Sequence, residues 1–183
     1  MERLEIDNIL KLDKLNSELE YEKAISIYGR LRWMVKDDHS LLPVKHYLKT
    51  LIRQYEKNHW TDEAKISAEQ IKESDIAEKI VGSESEFIQK RKELIREKLK
   101  ENGISQQDLA KILGHRPNYM SELMNGIRPF SRDDIVVLHR LLGLDLKDLV
   151  PPFLKSEVIN HIKQTLSELK NRKTRIKLRL TDL

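Results

Sequence analysis

Apolar residues recur at steps of three and four along most of this chain, and strict alternation is confined to one stretch near its end. Steps of three and four are the period of amphipathic helices. Leu4, Ile6, Ile9, Leu10, Leu12 and Leu15 suggest a short first helix. Over residues 19–35, Tyr21, Ala24, Ile25, Tyr28, Leu31 and Val35 line one face of a second. The polar run Lys36-Asp37-Asp38-His39 breaks it. Ser40 is then placed to cap a helix carrying Val44, Leu48, Leu51, Ile52 and Tyr55, with Pro43 in its first turn. The short break makes these two helices an antiparallel hairpin. Residues 56–82 carry sparse apolar positions among charges and are assigned to helix. Ser83 followed by Glu86 is a capping-box pattern, which starts a further helix through Phe87, Ile88, Arg91, Leu94, Ile95 and Leu99. Asn102-Gly103 ends it.

Two short helices follow. Ser105 is a good N-cap, and Asp108 complements the first turn of residues 106–113. Leu109, Ala110 and Leu113 face inward, and the small Ala110 lets a second helix cross closely. Gly114 makes the turn. Pro117 opens the second helix and Gly126 closes it. Met120, Leu123 and Met124 are expected in the core, with Asn118, Tyr119, Ser121 and Glu122 pointing outward. In such a pair the second helix lies in a DNA major groove and its first turn meets base edges. Asn118 can pair bidentately with adenine, and Ser121 serves several bases. Tyr119 either reaches a phosphate or packs on a thymine methyl group. Gln106 either contacts phosphate or supports a base-reading side chain. Arg116 and Arg128 flank the reading helix and neutralise phosphates, as Lys111 also could.

The segment from Ile104 to Val150 resembles the Cro/repressor-type (XRE) helix-turn-helix family. The resemblance rests on Ser105-Gln106, Leu109-Ala110, Leu113-Gly114, Ser121 and Asn125-Gly126. Ser131 to Ile135, Leu138, residues 141–144 and residues 146–149 resemble that family's fourth and fifth helices. Residues 119–131 are also similar to the recognition helix and following loop of HigA-type antitoxins. The hairpin ending in Tyr55-Glu56-Lys57 is similar to the helical region those proteins place before their DNA-binding domain. That resemblance implies an all-α fold with a five-helix, lambda-repressor-like domain. It implies repression of a shared operon and neutralisation of a RelE-like, HigB-type mRNA-cleaving toxin. A homodimer on an inverted repeat follows from the same family pattern. Many such antitoxins stop soon after the fifth helix, whereas this chain continues to Leu183.

Charge divides the chain similarly. The front is mildly acidic and the middle near neutral, while from Pro151 to Leu183 eight basic residues face three acidic ones. Three parts are therefore expected: a helical region over 1–82 for toxin binding or assembly, a DNA-binding domain over 83–153, and a basic extension over 154–183. Within the extension, Val158, Ile159, Ile162, Leu166 and Leu169 form a helical stripe, and residues 175–180 alternate as a short β-strand does. The basic tail meets phosphate or an acidic partner, or serves only as a solvated end.

The absence of Cys excludes disulfides and thiolate metal sites. The six His residues lack a supporting ligand set, and there is no Gly-rich phosphate loop and no G-x-S-x-G motif. The expectation is therefore no enzyme, no cofactor and no metal. Trp33 and Trp60 read as core or interface anchors. Leu138, Leu141, Leu142 and Leu149 read as core, with Phe130, Pro152 and Phe153 available to a dimer contact. No apolar run approaches the ~18 residues of a membrane span, and the N-terminus is unlike a signal peptide, which suggests a cytoplasmic protein. A stand-alone XRE-family repressor is the alternative to the antitoxin.

Overall fold

A computed structural model describes residues 6–62, 64, 66–154 and 156–170. The fold is all-α, and no strand occurs among the described residues. The strand expected at 175–180 lies outside them. Glu2–Val150 forms one compact unit, and α9 (Ser156–Lys170) belongs to a second. No helix among the described residues is long and apolar enough to cross a membrane.

The first helix is a single turn, α1 (Ile6–Ile9). The second, α2 (Glu18–Met34), starts where the Ser17 hydroxyl accepts the Glu20 amide at 3.2 Å. The next turn, a 3-10 segment over His39–Leu41, is capped by Asp38 and not, as expected, by Ser40. Asp38 Oδ1 accepts both the Ser40 amide (3.0 Å) and its hydroxyl (2.6 Å), so the carboxylate takes the capping role and Ser40 becomes a donor. Helix α3 (Leu42–His59) follows, with Pro43 in its first turn.

Helices α2 and α3 pack as an antiparallel hairpin. Tyr55, near the end of α3, donates its hydroxyl to Glu18 Oε1 at 3.0 Å, at the start of α2. Its ring stacks between Tyr21 (4.8 Å) and His59 (4.2 Å). Burial, then the carboxylate beside each hydroxyl, pushes the Tyr55 phenol up and raises that of Tyr21 to about 12. Trp60 packs against this core, but Trp33 is 67% exposed, with the Lys36 ammonium 4.5 Å above its ring.

The largest departure from the periodicity reading is α4 (Ala68–Glu101), one helix of 34 residues. The boundary expected at 82/83 falls inside it. Ser83 caps nothing; its hydroxyl donates to the Lys79 carbonyl at 3.0 Å, one turn back, as a serine inside a helix can. Packing against α2 carries the helix through Gly82. Lys23 pairs with Glu84 at 3.3 Å, and the Ser26 and Ser85 hydroxyls lie 3.2 Å apart.

The last turns of α4 roof a second core. It is completed by α5 (Gln106–Ile112), α6 (Pro117–Met124), α7 (Arg132–Leu142) and α8 (Leu146–Leu149). Ile95, Leu109, Met120, Leu123, Leu138 and Leu149 are fully buried in it. Phe130, expected at a dimer contact, is buried here, because it sits against Arg91 just ahead of the α7 cap. Leu141, expected in the core, is 44% exposed, one step off the stripe of Ile135, Leu138 and Leu142. Arg91 occupies an apolar position of α4 and is itself buried. Its guanidinium lies 4.9 Å from the Phe130 ring and donates to the Leu149 carbonyl at 3.2 Å, which ties α8 to α4. Burial lowers its pKa to about 10.

Candidate nucleic-acid interface

Three local devices set the angle between α5 and α6. Ser105 and Asp108 form a capping box at the start of α5: the Ser105 hydroxyl accepts the Asp108 amide (3.2 Å), and the Asp108 carboxylate accepts the Ser105 amide (3.1 Å). The Ser105 hydroxyl also donates to that carboxylate at 2.6 Å, and this bond, with the one from the Ser105 amide, holds the Asp108 carboxyl below its ordinary value. Gly114 closes α5 at φ +72°, a left-handed conformation that favours glycine. The His115 amide then reaches back to the Ala110 carbonyl at 2.8 Å. Pro117 opens α6, where a missing N–H costs nothing. Ala110 is buried, so α6 crosses α5 at a residue with almost no side chain.

Met120, Leu123 and Met124 point into the core, which leaves the first turn of α6 facing out. Arg116 and Asn118 are exposed, and Tyr119 is 38% exposed. Gln106, the first residue of α5, is half-buried, and Lys111 is exposed on the same helix, 3.6 Å from Asp108. Ser121 is half-buried, and its carbonyl accepts the Asn125 side-chain amide at 2.8 Å.

Glu122 departs from the expected arrangement. It is buried and not outward-facing, and its Oε2 accepts from Arg128 Nε. The reason lies in the chain after Gly126. The amides of Ile127 (2.9 Å) and Arg128 (3.3 Å) both bond the Glu122 carbonyl, so the backbone folds back over Glu122 and supplies its counter-charge. The Arg128 guanidinium also lies 5.3 Å from the centroid of the Tyr119 ring. That ring also meets His115 at 5.0 Å, and His115 Nε2 is 2.9 Å from Asp134 Oδ1. Asp134 in turn belongs to the Ser131 capping box that starts α7. Tyr119 is thus braced by two basic side chains, each fixed by a buried carboxylate.

Residues 95–149 match the family model described as Helix-turn-helix. The chain carries an XRE-type helix-turn-helix domain. This is a DNA-binding fold of transcription regulators, and the matched residues run from the last turns of α4 through α8. No curated protein and no solved structure matches the chain.

Within the helix-turn-helix domain, periodicity put Asn118 and Tyr119 outside and Met120, Leu123 and Met124 inside, as the structure does. It gave no hint that Glu122 and Arg128 pair. The spacing of six across a glycine turn carries no helical signal, because the partners lie on opposite sides of a reversal. Arg91 is legible in part, since it falls, as Lys98 also does, among the apolar positions at helical spacing.

Proposed function

We propose that the protein represses transcription by seating α6 in the major groove of a duplex operator. The observation that carries this reading is the asymmetry of α6: a first turn with Arg116, Asn118 and Tyr119 outside, on a helix whose opposite face is core. Asn118 reads adenine, and Tyr119 meets a thymine methyl group or a phosphate. Arg116, with Gln106 and Lys111 on α5, holds the backbone. Ser121 contributes from the rim. Glu122 and Arg128 act through Tyr119, by holding its ring. Two copies on an inverted repeat place their reading helices about 34 Å apart. The exposed Leu141, Leu146 and Val150 give the second copy an apolar contact, in place of Phe130. Repression needs no catalytic group, since occupancy of the promoter suffices.

The test is selection of binding sequences from a randomised duplex pool by the full chain, followed by shift assays. Asn118→Ala is expected to lose about 1–3 kcal/mol of discrimination at one base pair. Arg116→Ala is expected to weaken all sequences alike and flatten the salt slope by about 1. If no sequence is enriched, or if Asn118→Ala and Tyr119→Ala discriminate as the parent does, α6 is not the reading helix.

We also infer that the repressor is a HigA-type antitoxin, with the layer of α1–α3 as the docking region for a RelE-like toxin. The likeness of residues 119–131 to that group supports this, as does the exposed Trp33 on α2. Co-expression with the neighbouring gene tests it. Co-purification of a small basic protein whose toxicity the chain relieves supports the antitoxin. Operator binding with no such partner makes the chain a stand-alone repressor.

A further inference from the structure

We propose that Arg30, from α2, with Lys92, from α4, is a positioning residue for the reading helix, latching the closed end of α6 to the N-terminal layer. This rests on the reading of α6 as the DNA-contacting helix. Arg30 Nη1 donates to the Gly126 carbonyl at 3.2 Å, across 96 positions of sequence. Its Nη2 is held by the hydroxyls of Ser26 (3.0 Å) and Ser85 (3.1 Å), so the guanidinium is aimed before it meets Gly126. Lys92 Nζ donates to Asn125 Oδ1 at 2.7 Å. Asn125 is the C-cap of α6, and Gly126 follows it at φ +66°.

Apolar contacts point the same way. A Cβ on Gly126 would lie 2.7 Å from Ile88 of α4, so the backbone of this turn rests directly on that side chain. Ile127, the next residue, is buried in the N-terminal core with Leu31 and Leu48, not in the helix-turn-helix core. Three successive residues at the end of α6 are therefore held by α2, α4 and the N-terminal core. Burial lowers the Arg30 pKa, and the nearby Glu84 carboxylate partly offsets this, so the charge is kept there against desolvation.

Geometry makes this a matter of reading, not only of stability. Helix α6 has eight residues, about 12 Å at 1.5 Å per residue. Its latched end and its reading end are opposite. A tilt of about 5° at the latch moves Asn118 by about 1 Å, which is enough to spoil a hydrogen bond held to a few tenths of an ångström. Phosphate contacts from flexible Arg and Lys side chains tolerate the same shift.

The experiment compares Arg30→Met, Arg30→Lys and Lys92→Met with the parent full chain. The probes are the duplex enriched by the parent and a scrambled duplex of equal composition. Arg30→Met is expected to lower the affinity ratio between the two duplexes roughly tenfold, while scrambled-duplex affinity stays within about twofold. Arg30→Lys retains a donor and is expected to recover part of the ratio. Lys92→Met is expected to show a smaller loss. Amide exchange, with no DNA present, gives the second readout. The Asn125, Gly126 and Ile127 amides are expected to exchange about tenfold faster in Arg30→Met, with those of Leu109 and Leu113 unchanged. A parental ratio and parental exchange in Arg30→Met overturn the latch while leaving DNA reading intact. Should Arg30→Met fail to fold, a parental ratio in both Arg30→Lys and Lys92→Met overturns it. If the parent enriches no duplex, DNA reading fails and the specificity role falls with it, whatever the exchange pattern.

Discussion

The N-terminal core, around Leu31, Leu48 and Tyr55, and the helix-turn-helix core, around Leu109, Met120 and Leu138, are linked by one helix, α4, which packs on α2 and gives Ile95 and Leu99 to the second core, and the two are built differently. Helices α2 and α3 are 17 and 18 residues long, and the glycines of the N-terminal side, Gly29 and Gly82, lie inside helices. Helices α5 to α8 run 7, 8, 11 and 4 residues; of the glycines with positive φ, Gly103 precedes α5, and Gly114, Gly126 and Gly143 separate the four helices. Both complete capping boxes, at Ser105 and Ser131, are on that side. Nucleating a helix is costly, so helices this short need their ends written into local residues. The long ones draw their stability from packed stripes.

Because α4 packs on α2 along one part and supplies Ile95 and Leu99 to the helix-turn-helix core along another, the comparison predicts shared fate. Leu123→Ala and Leu48→Ala each remove a fully buried side chain, one from each core. Each is expected to cost about 2–5 kcal/mol in urea unfolding. Each is also expected to shift one common transition seen by circular dichroism and by Trp60 fluorescence. Separate transitions in either variant would mean that α4 does not couple the cores.

A smaller effect sharpens the contrast between the glycine turns. Gly143 and Gly126 have nearly the same φ, +65° and +66°, but a Cβ at Gly143 meets open space, whereas one at Gly126 meets Ile88. Gly143→Ala is expected to cost about 1–2 kcal/mol, the left-handed strain alone. Gly126→Ala is expected to cost about 1–3 kcal/mol more, because α4 must give way. Equal costs in denaturant melts would show that the turn after α6 is not pressed against α4.

The smallest effect concerns pH. The folded pKa of Asp108 lies below its unfolded value, so the stability it lends is present above the ordinary carboxylate range and is lost as pH falls through the folded value. Asp108→Asn is therefore expected to reduce stability slightly at pH 7 and to remove a shallow loss of stability below about pH 4. An identical acid limb in parent and variant would place the acid sensitivity elsewhere.

The same contrast explains what could be read from residues alone. Ser105 with Asp108, Gly114, Pro117 and Gly126 are local signals, and each lies where its chemistry suggests. Ser83 with Glu86 carries the same kind of local signal and misleads, because the packing of α4 on α2 outweighs it. Leu141 lies one residue of helical phase off the buried stripe of α7, whereas Phe130, ahead of that helix, is drawn in against Arg91. At the site, the exposed first turn of α6 was legible from period alone. The brace on Tyr119 and the grip of Arg30 on Gly126 depend on residues 6, 19 and 96 positions apart, and no repeat or spacing announces them.

The burial of Ile127 among α1, α2 and α3 also bears on the order of events during synthesis. A chain emerging from the ribosome at about 5–20 residues per second usually folds its first domain before the next is made. Here the first core lacks one of its buried side chains until residue 127 has been added, well after α3 is complete. The nascent N-terminal half must wait, with its core one side chain short, for α6 and the turn after it to be translated. The protein therefore cannot finish its N-terminal layer before α6 exists.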